Sequence, residues 1–267
     1  MTDATLPHDT GPLGLCEVSM DDPWKWLAAG WSDMKRAPLW SLSYGLAFVL
    51  VGIAGSVLLW SVNLESLIPV LAGGFALIGP MLAVGLYEIS RRLEAGEPLT
   101  LRGVVFVRTA EPLQLAYMGF VLLFMYLVWA RVAMLLYAGF VHFDNTPLDQ
   151  FSVFMFATPT GQALLAVGTV TGALFGLVVF AVTALSVPML VDRHVDVVTA
   201  AVTSVRTVLH SPKAMLLWAW IIAILVGFGF ATLFVGLIVV FPLVGHATWH
   251  AYRDTIDASA WPPTHGG

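Results

Sequence analysis

The stretch 214-AMLLWAWIIAILVGFGFATLFVGLIVVFPLVGHATWHAY-252 runs for 39 residues without an Asp, Glu, Lys or Arg. A hydrocarbon layer about 30 Å thick is crossed by roughly 20 helical residues, so this is the length of two spans with no polar linker between them. Charge decides how to read it. Lys213 stands just before the stretch and Arg253 just after it, and two crossings return both cations to one face. The turn is expected near residues 227–229, where glycine tolerates tight backbone. One long tilted helix followed by a re-entrant or surface piece is the alternative.

The same arithmetic works outward along the chain. Residues 39–60 and 67–87 form one apolar pair, and residues 113–140 and 161–191 another. Eleven of the 12 Lys and Arg fall between these pairs: Lys25, Lys35 and Arg36; then Arg91, Arg92, Arg102 and Arg108; then Arg193, Arg206 and Lys213; and finally Arg253. With every apolar pair read as out and back, all four clusters share one face, which the positive-inside rule identifies as the cytoplasm. The expected fold is therefore all-α: a polytopic transmembrane helical bundle of six spans in three hairpins, both termini cytoplasmic. Residues 22–256 form a single membrane domain, with flexible tails at 1–21 and 257–267.

Composition agrees. The chain is 58% hydrophobic and 11% charged, against roughly 25% charged in soluble domains, so it has too little polar surface to cover a globule in water. The lipid bilayer is the first expected partner. A net charge of −5 with no basic face excludes nucleic acid. The single cysteine, Cys16, has no internal disulfide partner and no metal-ligand pattern around it. Residues 1–22 carry five acidic residues and no Lys or Arg, unlike a cleaved signal peptide.

An amphipathic segment ending in proline precedes each hairpin, at residues 24–38, 103–112 and 195–212. In the third, Val198, Val202, Val205 and Leu209 recur at helical spacing, as in a helix lying on a membrane surface. In the second, Val104, Val105, Phe106 and Val107 weaken the helical expectation. Setting Pro80 against Pro242 aligns Tyr87 with Trp249, Glu88 with His250, and Arg91 with Arg253. These matches point to three repeated units of surface helix plus hairpin.

His246 and His250 stand at i and i+4, so on a helix both imidazoles face the same way. With Glu88 at the matching depth they make a candidate polar or metal site at the basic face. Three readings stay open: histidines hydrogen-bonded to backbone or paired with carboxylates, a metal or haem site, and a proton relay. Glu88, Arg91, Arg92, Glu94 and Glu97 read as a solvated helix end. Arg131 is the lone charge within a span, about 27 Å from the basic face, where a partner such as Glu65, Asp144 or Asp149 is expected. The overlapping GxxxG matches at Gly168, Gly172 and Gly176 read as close helix packing, with self-association second. No GxxxxGK[ST], GxSxG or CxxC pattern occurs, which removes the soluble catalytic machinery those motifs build.

Residues 74–92, then 187–193, then 242–254 with Gly245-His-Ala-Thr-Trp-His-Ala-Tyr-Arg-Asp254, resemble an uncharacterised bacterial family of predicted multi-pass integral membrane proteins. The resemblance spans residues 22–256 and implies the bacterial inner membrane without a mechanism. The leading expectation is a non-catalytic accessory or assembly partner of another membrane complex, with no cofactor. Its partners would be other membrane proteins or a second copy of itself. The alternatives are a small transporter or channel with a polar cytoplasmic mouth, and a metal- or haem-binding membrane protein.

Overall fold

The computed structural model describes residues 14–64, 68–109, 111–140 and 148–257. Helix α1, Asp22–Arg36, opens on Pro23 and ends on Lys35 and Arg36, placing an acidic residue and two cations where the helix dipole favours each. Helix α2, Pro38–Ser61, follows almost without a break. The next apolar segment divides into α3, Ile68–Leu82, and α4, Val84–Ala95, which stops at Gly96 in the left-handed region. A single turn α5, Leu101–Val105, leads to α6, Pro112–Phe140, then to α7, Leu148–Ala157, and α8, Pro159–Thr183. Helices α9, Ser186–Asp192, α10, Val197–His210, α11, Pro212–Ala231, and α12, Leu237–Thr255, complete the helical order.

Among the described residues five helical segments are long and apolar enough to cross a membrane: Pro38–Ser61, Leu71–Ala95, Pro112–Phe140, Pro159–Asp192 and Pro212–Ala231. The segment containing α8 and α9 is interrupted at Ala184 and Leu185, where the ring of Pro188 crowds the carbonyl four residues earlier. Helix α12 is not among these five, and most of its residues are buried. Gly45 of α2 and Gly30 of α1 both lie flat against it: a Cβ at Gly30 would come 2.6 Å from the Ala247 nitrogen, and one at Gly45 would meet the Ile238 carbonyl. Pro242 has no N–H to offer that carbonyl, and α2 approaches it there.

Around this centre the contacts run in a cycle. Helix α1 lies on α12, α5 on α4, and α10 on α8 and α9. Helix α2 likewise packs on α12 and α6 on α3, whereas α8 and α11 face each other across a gap. Helices α4, α9 and α12 meet in the middle, and every residue of α9 is buried. The outer helices are nearly bare: along α6 only Met118 and Leu122 are buried.

The first and last described segments meet. Strand β1, Gly14–Leu15, pairs antiparallel with β2, Ile256–Asp257, so Gly14 and Asp257, both placed in flexible tails by the sequence, lie side by side. All four basic clusters also meet there. Arg36 Nη2 donates to the Leu93 carbonyl at 3.0 Å, Arg253 reaches Glu94 at 3.2 Å and Asp192 at 3.8 Å, and Asp192 pairs with Arg193 at 2.9 Å.

The expected position of the turn needs correction. The chain turns at residues 232–236, not at 227–229. Leu233 and Phe234 take positive φ in that turn, and the Thr232 hydroxyl accepts from Gly236 N at 2.8 Å. The nearby glycines serve other ends: a Cβ on Gly229 would strike Leu237 of α12, and one on Gly227 would meet open space. The connection between the apolar runs 113–140 and 161–191 contains α7, which packs on α8. Of the second amphipathic segment, whose β-branched residues weaken the helical expectation, only residues 103–105, the end of α5, are helical.

Candidate functional site at the basic end of the bundle

His246 is fully buried where α12 meets α2 and α4. Its Nε2 lies 2.9 Å from Ser41 Oγ and its Nδ1 2.8 Å from Ser90 Oγ. Ser41 gives its own proton to the Ala37 carbonyl at 2.9 Å, which leaves its oxygen to accept from Nε2–H of the imidazole. Nδ1 is then the acceptor for Ser90. A neutral ring held in one tautomer satisfies all three side chains.

His250, one turn further along α12, turns towards α1 and pairs with Asp33 at 2.8 Å. Asp33 is itself buried and lies 3.6 Å from Arg36. Burial raises its carboxyl, but the hydrogen bond from His250, with Ser90 also beside it, outweighs this and holds the group below the usual carboxylate range. Ser90 thus stands between Asp33 and His246. Asp33 escaped the sequence reading, although it interrupts the apolar stripe Trp26, Gly30, Met34 and Ala37 of α1, where a carboxylate needs a reason.

Glu88 goes elsewhere. It is fully buried and takes a two-point bond from Arg91, at 2.8 and 3.0 Å, and a third from Arg92 at 2.6 Å. Arg91, itself 8% exposed, also reaches Glu97 at 2.8 Å. The expectation of a solvated helix end here is therefore corrected: α5, α9 and α12 pack round α4 and bury its ionic turn. Exposed pairs of this kind contribute about 0–1 kcal/mol, whereas removing one partner of a buried pair costs about 3–5 kcal/mol.

The two histidines face different neighbours, His246 towards α2 and α4 and His250 towards α1, and Glu88, His246 and His250 each have their own hydrogen-bonding partners. Among the described residues no three His, Cys, Asp or Glu side chains are grouped as a metal ion requires. Arg131 lies exposed on α6, nine residues short of its end at Phe140. Its expected partners Glu65 and Asp144, and the side chain of Asp149, lie outside the described residues.

Aromatic and acidic side chains knit the rest of this end. Trp249 Nε1 donates to Glu94 at 3.1 Å, Tyr252 Oη to Asp192 at 2.7 Å, and Trp26 Nε1 to Asp254 at 2.9 Å. Each bond joins two different elements and neutralises part of a carboxylate's charge. The arrangement is an interlocked polar plate capping an apolar bundle.

Comparison with known proteins agrees with this architecture. Residues 67–192, from just before α3 to the end of α9, match a family model described as predicted integral membrane protein (DUF2189). This is an uncharacterised multi-pass membrane family. The matched segment contains Glu88, Arg91 and Arg131 and stops before α12, so the Gly245–Asp254 stretch on which the sequence resemblance rested most heavily lies beyond it. No curated protein and no solved structure matches the chain.

Proposed function

We propose that the protein is a non-catalytic accessory or assembly partner of another membrane complex in the bacterial inner membrane. One contrast carries this reading. The buried ionisable side chains Glu88, Asp33, His246 and Asp192 all bond within the chain, whereas α6 is apolar and, apart from Met118 and Leu122, exposed or half-buried along its length. The polar groups hold helices together, and the surface left over faces sideways into the bilayer. Six crossings are part of the same reading, with α12 as the sixth. An even number returns the chain to its starting side, and the β1–β2 pair supports this. The basic residues at that end support a cytoplasmic side for it.

Photoreactive side chains at Phe120 and Leu127 of α6, both exposed, test the association in native membranes. Discrete adducts with another membrane protein are expected. Lipid adducts alone at both positions overturn it. Transport through a mouth of Glu88, His246 and His250 is the rival. Solute flux into proteoliposomes that is lost in His250→Ala would establish that rival instead.

A further inference from the structure

The gap between α8 and α11 is a cavity of about 630 Å³, walled also by α3 and α12 and half open to the side. Small residues make it: Gly79 on α3, Gly172 and Gly176 on α8, and Ala219, Ala223 and Gly227 on α11. At Gly79, Gly176 and Gly227 an added Cβ would touch nothing within 4 Å. The helices could have met here, as they do at the other two seams of the cycle, and they do not.

The shape of the cavity follows the membrane normal. Its lining runs along α11 from Leu216 to Phe230 and along α8 from Gly172 to Ala184, which at about 1.5 Å per residue is roughly 18–21 Å. That exceeds half of a hydrocarbon layer about 30 Å thick, the depth of one leaflet. Two turns of a helix about 10 Å across occupy on the order of 850 Å³, so the space is too small for a partner helix and suits a slender chain. Its wall is almost wholly apolar, which excludes a polar solute as the main occupant.

One end carries charge. Lys213 stands one turn before Leu216 on α11, exposed, and Arg206 and His210 are exposed on α10, which packs against both α8 and α11. Among the described residues Lys213 and Arg206 have no ion pair, unlike Arg36, Arg91, Arg92, Arg193 and Arg253 at the same end. A cation at the headgroup level beside a chain-length apolar slot complements an anionic headgroup.

We infer that this cavity holds one acyl chain of a membrane phospholipid whose phosphate is met by Lys213. The site is independent of the accessory role proposed above. Native mass spectrometry of the full chain, extracted in mild detergent and delipidated by washing, tests it. One retained phospholipid per chain is expected. Gly176→Leu and Gly227→Leu, made singly and together, grow into open space, so they should keep the fold and lose the adduct about ten-fold, equivalent to about 1.4 kcal/mol. Gly168→Leu also meets no neighbour but lies outside the lining, and should retain the lipid. Lys213→Gln should reduce retention of anionic more than of zwitterionic phospholipid. Equal retention by wild type and either filled variant overturns the proposal, as does a wild-type chain that carries no lipid. An adduct that is lost from Gly168→Leu as readily as from Gly176→Leu also overturns it, since the lipid would then be held by general contact with α8.

Discussion

His250 Nε2 lies 2.8 Å from Asp33 Oδ2, joining α12 to α1 across 217 residues of sequence. The Asp33 side chain is almost inaccessible, at 5% exposure, so this bond is shielded from bulk screening. Asp33→Asn should lower stability by about 2 kcal/mol near neutral pH, the range for hydrogen bonds to charged groups. Thermal unfolding in detergent measures it.

The pH dependence of that difference has a definite sign. Asp33 ionises more readily in the folded chain than in the unfolded one, so its stabilisation is fully present above the unfolded carboxylate value of about 3.9. It is lost as pH falls through the lower folded value. The gap between wild type and Asp33→Asn should therefore persist at about pH 5 and shrink only in stronger acid. A gap already closed at about pH 5 would contradict the assignment.

Glu88→Gln should be among the most damaging single changes at the basic end, costing about 3–5 kcal/mol because Arg91 keeps its buried charge after losing a two-point partner. Adding Arg91→Met to the same chain removes that uncompensated charge. The double variant should unfold at a higher temperature than Glu88→Gln alone. If the two losses simply add, the pair is not energetically coupled.

Ser41→Ala and Ser90→Ala each leave one nitrogen of a fully buried imidazole without its partner, at about 1–3 kcal/mol apiece. Because both act through His246, their combination should depart from the sum. A double-mutant cycle read by thermal unfolding gives the coupling.

The side of the membrane is open to a direct test. Cys16 is exposed and its backbone bonds to Thr255, so the native thiol reports the end where β1 and β2 pair. Leu64, exposed beyond the far end of α2, reports the other side through Leu64→Cys made in a Cys16→Ser chain. In intact cells an impermeant thiol reagent should modify the thiol introduced by Leu64→Cys directly, and the native Cys16 only after permeabilisation. Labelling of both from the same side would remove the hairpin topology.

Much of the architecture was legible because lipid imposes a simple rule on composition. Residues 39–60 and 113–140 anticipate α2 and α6 to within a residue at each end, and the basic clusters do converge at one end. Where tertiary contact decides, the sequence misleads. The glycines at 227 and 229 suggest a turn, but one opens a cavity and the other admits Leu237, while the actual turn uses Leu233 and Phe234 at positive φ. Glu88 and Arg91 look like a solvated helix end because their covering helices come from elsewhere in the chain. The i, i+4 spacing of His246 and His250 suggested one shared site, but their partners Ser41, Ser90 and Asp33 lie on three different helices and follow no spacing rule that could have named them.

The seating of α1 on α12 has a consequence for assembly. Gly30 fits only against the backbone of Ala247, a segment made long after α1 itself, so the opening helix must wait at the membrane surface until the closing one arrives. Its exposed Trp24 and Trp31, well suited to a headgroup layer, give it a berth in the meantime. Arrest of synthesis ahead of α12 would strand a half-built bundle with its central position vacant, a form that quality-control proteases could tell from the finished molecule by the loose end alone.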